Sequence, residues 1–159
     1  MSAIISRDGL YRYKLVRQIY TGSTAPPMTF VMLNPSTADA EIDDPTIRRC
    51  IGFARRELAS SLIVVNLYAF RATNPKDLWK AADPVGHLNA GHILQAAEIS
   101  HELVCAWGKN ARTHEVNNFV SSLKPDGVKL SCLGVNKDGS PRHPLYIKAD
   151  QPLIPWGQK

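Results

Sequence analysis

Cysteine, aromatic side chains and long apolar runs are all scarce in this chain of 159 residues. Its three cysteines, Cys50, Cys105 and Cys132, are an odd number, lie far apart and have apolar neighbours. That excludes a disulfide framework, and the absence of a C-x-x-C pair removes the usual zinc and iron–sulfur spacings. Thiols in such settings read as buried core residues, and no metal or organic cofactor is expected. No apolar run approaches the roughly 20 residues of a membrane span. The opening residues, MSAIISRDGL, lack a secretory core. A soluble, cytoplasmic protein is therefore expected, with no membrane contact and no obligate protein partner. Repeats, low-complexity tracts and linkers are also missing, which reads as a single domain over residues 1–159. Acidic residues are the scarcer charge: 14 against 19 basic ones, for a net charge of +5. The surplus favours an anionic partner, with nucleic acid, DNA above all, the leading class.

The apolar residues that are present fall into a clear order. LYRYKLVRQIY alternates apolar and basic residues and predicts an N-terminal strand or hairpin with one wet face. TGSTAPP (21–27) is a punctuated loop. Four short apolar runs follow: MTFVML (28–33), SLIVVNLYAF (61–70), ELVCAW (102–107) and VKLSCLGV (128–135). Continuous runs suit strands covered on both faces, as in a parallel sheet. Between them, Asp44-Pro45 opens a helix carrying Ile47, Cys50, Ile51, Ala54 and Leu58 at helical spacing. Asn74-Pro75 opens a short helix with Leu78 and Trp79. Residues 86–99 and 111–123 predict two more. Strand and helix in alternation predict an α/β three-layer sandwich around a central, mainly parallel four-stranded sheet, plus the N-terminal strand or hairpin.

In open α/β sheets ligands bind beyond the carboxyl ends of the strands, so the residues there carry the functional expectation. Asn34, Ser36 and Thr37 follow the first run. Asn66 sits inside the second, followed by Tyr68, Phe70 and Arg71. Lys109 and Arg112 follow the third. Lys137, Arg142, His143 and Tyr146 share one turn-rich loop after the fourth. Each has a plain reading beside the functional one. Asn34 alone suits a turn cap. Asn66, in an apolar strand, either ties down a loop or meets a ligand. His143 alone suits an ordinary loop. Asp39, Asp43 and Asp44 resemble a metal cluster, yet a helix cap accounts for Asp44 and no His or Glu completes a ligand set. Arg48, Arg49, Arg55 and Arg56 suit a solvated helix face.

The segments MLNPSTADAEIDDPTIRRCIGFAR, VVNLYAFRATNP, WG and KDGSPRHPLY resemble a bacterial and phage family of unknown function, DUF1643, over nearly the whole chain. More distantly, they resemble the uracil-DNA glycosylase superfamily. In that superfamily a motif of the form G-I-N-P-G or G-Q-D-P-Y ends the first core strand, where this chain has MLNPS. An Asn often ends the second strand, where this chain has Asn66. A His-Pro pair begins the last motif, where this chain has His143-Pro144.

The resemblance implies hydrolysis of an N-glycosidic bond in DNA to leave an abasic site, without a cofactor. It implies that Asn34 positions the attacking water, with Asp39 as a rival base, and that His143 donates toward the base O2. Asn66 reads the edge of the extruded base, while Phe70 or Tyr68 stacks on it or belongs to the core. Ser36 replaces a Tyr whose ring excludes bases substituted at C5. A C5-substituted pyrimidine is therefore the implied target, such as the hydroxymethyl- or glucosylated cytosine of some phage DNA, and antiviral defence the implied setting. Extruding a base from duplex DNA costs a few kcal/mol, which phosphate binding must supply; Arg48, Arg49, Arg71, Lys109, Arg112, Lys137 and Arg142 are the candidates. A non-catalytic nucleic-acid binding module and a hydrolase of free nucleosides or nucleotides are the competing expectations.

Overall fold

A computed structural model describes residues 1–157 of the chain. Seven strands form one mixed sheet: β1 (Ser2–Ile5), β2 (Arg12–Gln18), β3 (Met28–Met32), β4 (Ser61–Asn66), β5 (Glu102–Cys105), β6 (Lys129–Cys132) and β7 (Ile154–Pro155). Their spatial order is β1-β2-β4-β3-β5-β6-β7. The pairs β3–β4, β3–β5 and β5–β6 are parallel, with Phe30 opposite both Val64 and Val104. The pairs β1–β2, β2–β4 and β6–β7 are antiparallel. The expected parallel strands are therefore present, but the sheet is wider and mixed. β7 follows from a two-residue pairing that no apolar run announces.

Each parallel strand needs a crossover, and the helices provide it. They are α1 (Pro45–Arg56), α2 (Asn89–Ser100) and α3 (Thr113–Leu123). The Asp44 side chain accepts the Ile47 N–H at 2.9 Å and Pro45 occupies the first turn, so α1 begins where the sequence places it. Its apolar stripe, Ile47, Cys50, Phe53 and Ala54, packs on Phe30, Met32, Leu62 and Val64. On the other face α2 and α3 bring Ile93, Ala96, Ala97, Phe119 and Leu123 against Val31, Ile63, Val65, Leu103 and Cys105. The alternation along β3 and β4 thus feeds two cores, which is why every residue of MTFVM is buried. All three cysteines are buried and free.

Four details differ from the sequence pattern. β4 stops at Asn66, although the Leu67 and Tyr68 N–H groups still donate to the carbonyls of Met32 and Leu33. α2 begins at Asn89 with no side-chain cap. Leu58 lies beyond α1 at φ 57° and is 67% exposed, so it does not extend the helix stripe. β2 does not have a wet basic face: Arg12 and Arg17 are each 2% exposed. β2 is covered by β1 on one side and β4 on the other, and its two guanidinium groups find acceptors in the loop after β3. Among the described residues no helix is long and apolar enough to cross a membrane.

Candidate active site

The carboxyl ends of the four parallel strands open into one cleft of about 820 Å³. Asn34, Ser36, Asn66 and His143, which lie far apart in sequence, all line it. The loops that carry them are tied to one another by backbone and side-chain bonds. Asn34 Nδ2 donates to Ala72 O at 2.7 Å and to Pro35 O at 3.0 Å, while Ala72 N–H donates to Pro35 O at 2.9 Å. Gly108 N–H donates to Pro141 O at 2.9 Å, joining the loops after β5 and β6.

These bonds fix what each side chain can do. Carbonyl oxygens only accept, so the atom of Asn34 that meets Pro35 and Ala72 must be the amide nitrogen. Its Oδ1 remains as the acceptor offered to a ligand or water. His143 caps the turn Pro144–Tyr146: its Nδ1 accepts the Leu145 N–H at 3.2 Å. An imidazole that accepts at Nδ1 carries its proton at Nε2, so the half-buried ring presents an Nε2–H donor. Burial pushes the His143 pKa down, with Asp44 opposing part of that shift, and the neutral tautomer is the resting form at neutral pH. Asn66 is the most unusual of the group. It is 0% exposed, and neither its Oδ1 nor its Nδ2 has a partner among the described residues. Its backbone carbonyl is used by Asn89, whose side chain donates at 2.8 Å, so the strand end is anchored while the amide is not.

Other expected residues lie elsewhere. Asp39 does not line the cleft; its Oδ1 accepts the N–H groups of Glu41 and Ile42 at 2.9 Å each, bonds that hold its carboxyl below the ordinary value. Tyr68 belongs to the α2–α3 core, with its hydroxyl accepting the Arg112 N–H at 2.9 Å and its ring edge-on to Trp79. Phe70 packs edge-on against Tyr11. Neither ring faces the cleft. The exposed aromatic at its rim is Tyr146, 73% accessible and 5.9 Å from the His143 ring. The sequence places it in the turn-rich loop with His143 but gives it no role, because exposure of an aromatic after a turn depends on the loop's path.

Of the expected phosphate contacts, Lys109 and Arg142 line the cleft. Arg48, Lys109, Arg112, Lys137 and Arg142 are exposed, and Arg49 and Arg71 half-buried. The arginines also make contacts within the chain. Arg48 donates to Asp43 O, Arg49 to Ile147 O, Arg71 to Gly9 O and Arg142 to Tyr146 O. Arg112 lies over the Trp79 ring at 4.0 Å. The acidic trio is likewise accounted for: Asp39 closes a turn, Asp43 meets Arg17 at 2.7 Å and Asp44 caps α1. Among the described residues no group of three His, Cys, Asp or Glu side chains is placed to hold a metal ion.

Arg12 is the site residue that sequence reasoning missed. Its alternation with apolar neighbours looks like solvent exposure, whereas it is buried, lines the cleft, and donates from Nη1 to Ala38 O at 2.7 Å. Arg17 serves the same loop from behind, donating to the Asp39 and Ile42 carbonyls as well as to Asp43. In a regular strand residues five apart point to opposite faces. The bulge at Tyr13, the extra residue of β2 between Arg12 opposite Ile5 and Lys14 opposite Ile4, breaks that alternation.

No curated protein and no solved structure matches the chain. One family does: its description is "protein of unknown function (DUF1643)", and its model spans residues 12–145, from the buried arginine of β2 to the leucine after the His-Pro pair. With most of its length covered in that match, the chain belongs to the DUF1643 family.

Proposed function

We propose that this protein is a monofunctional DNA glycosylase that hydrolyses the N-glycosidic bond of a modified pyrimidine, leaving an abasic site. The observation that carries the proposal is the meeting of Asn34, Asn66 and His143 in one cleft, with the Asn66 amide buried and unpartnered. Those are the three positions at which the chain resembles the uracil-DNA glycosylase superfamily. A buried amide left unpaired costs roughly 1–3 kcal/mol; an extruded base supplies its missing partners.

The chemistry follows from charge. As the C1′–N1 bond breaks, the electron pair leaves with the base and positive charge grows on the sugar. His143 Nε2–H meets the negative charge at the base O2. A water held by Asn34 Oδ1 adds its oxygen to C1′ and releases a proton to solvent. An amide is too weak a base to remove that proton, so Asn34 orients the water. Ser36, also in the cleft wall, leaves room for a C5 substituent such as hydroxymethyl or a glucosylated hydroxymethyl group. Cleavage of such DNA in an invading phage would serve defence.

The test is incubation with unmodified DNA, uracil-containing DNA and hydroxymethyl- or glucosyl-cytosine phage DNA, followed by alkali. Strand breaks in the modified DNA alone, lost in Asn34→Ala with affinity retained, are expected. Absence of breaks in every substrate overturns the proposal. A second reading, hydrolysis of free nucleosides or nucleotides, is favoured by the half-burial of Arg49 and Arg71, which donate to carbonyls of their own chain. Turnover of mononucleosides without turnover of polymer would establish it instead.

A further inference from the structure

Two hydrogen-bond donors are buried in the cleft wall without acceptors among the described residues: Arg12 Nε and Asn66 Nδ2. Their side chains are nearly inaccessible, at 2% and 0%. They come from adjacent strands. Arg12 sits at the start of β2, and its backbone N–H donates to Ala69 O, three residues beyond Asn66 at the end of β4. The Arg12 Nη1 is already committed to Ala38 O. An amide offers one acceptor and a donor; a guanidinium offers donors only. The free groups of this floor therefore comprise one acceptor and two kinds of donor.

We propose that Arg12 and Asn66 form a donor-rich floor that selects a planar edge with two acceptors and one donor, and that Arg12 is the specificity-determining residue. The inference rests on reading the cleft as a nucleobase site. It names what discriminates there. Cytosine presents an amino donor with N3 and O2 as acceptors, and uracil presents two carbonyl acceptors with an N3–H donor. Adenine has a single acceptor on that edge and guanine has two donors, so either purine leaves a buried donor unpaired. A site built to hydrogen-bond a ligand rejects one that leaves its polar groups unpaired far more strongly than shape alone does.

Titration of the ¹⁵N-labelled full chain with cytidine, uridine, adenosine and guanosine tests this directly. The Arg12 Nε–H resonance is expected to shift and saturate with both pyrimidine nucleosides, which should bind at least tenfold more tightly than the purines. Arg12→Lys keeps a positive charge but removes the Nε–H; it should lose about tenfold in pyrimidine affinity and with it the preference. Arg17→Lys, which disturbs the same loop from outside the cleft, should keep the preference. An unmoved Arg12 resonance, no nucleoside binding, or a preference that survives in Arg12→Lys overturns the inference. If the binding order holds but no DNA is cleaved, the glycosylase reading alone falls. If DNA is cleaved by Arg12→Lys with unchanged kcat/KM and base preference, the inference alone falls.

Discussion

Asn66 is where the interests of stability and function part. Its amide is fully buried and has no partner among the described residues, so it subtracts from stability until a ligand or water completes it. Asn66→Leu should therefore raise unfolding free energy by about 1 kcal/mol while abolishing ligand binding. Denaturant titration checks the first half, and a loss of more than about 2 kcal/mol would mark Asn66 as a structural tie. His143 makes a second prediction, with a definite sign. Burial lowers its pKa from the ordinary 6.5, so just below that pH the unfolded chain binds a proton that the folded one does not. Stability must then fall as pH drops from 6.5 toward the lower folded value. Protonation also removes the Nδ1 acceptor of the Leu145 N–H. His143→Asn retains a cap without the titration, and should lose less stability than the parent between pH 7 and 5. Equal losses would refute the account. Asn34 and Asn66 were readable from sequence because each lies at the end of an apolar run or within it, whereas His143 stood out only through the His-Pro resemblance. Arg12 was not readable, since nothing local distinguishes a buried arginine in β2 from the exposed residue that alternation predicts.

The elements explain why the loops after the strands hold still. The hairpin β1–β2 places Arg17 behind the loop after β3, where it bonds to Asp39 O, Ile42 O and Asp43. Arg17→Met should cost about 2–3 kcal/mol, as carbonyls and a half-buried carboxylate lose their donor. Thermal unfolding would read that loss, and a change below about 0.5 kcal/mol would show the clamp to be incidental. The helix α1 contributes from the other side: Arg49 reaches Ile147 O, so the segment after His143 is fastened to it. Apolar periodicity made β3, β4, β5, β6 and α1 legible, with the Asp44 cap marking the helix start. β7 stayed hidden, because two residues carry no period. Leu58 fitted the helical spacing, yet α1 ends at Arg56 and Leu58 turns into a positive φ.

For the molecule as a whole, burial trims the cation that a net charge of +5 offers a polyanion. Of the seven candidate phosphate contacts, Arg48, Lys109, Arg112, Lys137 and Arg142 are exposed, while Arg49 and Arg71 are half-buried and donate to carbonyls of their own chain. Each neutralised phosphate contributes about −0.9 to the slope of log K against log salt, so DNA binding through the exposed five should show a slope of about −4.5, where seven contacts would give about −6. Fluorescence anisotropy across a salt series measures it, and a slope shallower than about −2 would mean that the exposed arginines do not reach phosphates. A second consequence lies in how the rim is assembled. Asn34 is tied to Ala72, Gly108 to Pro141, and Arg12 to Ala38. A rim stitched in this way is a mould, and what must yield to admit a ligand is its floor, where the Asn66 side chain is fully covered. It has little disorder to lose when filled, so under the glycosylase reading the work of distortion falls on the DNA, and the bases that leave their stack most readily are the ones it would capture first.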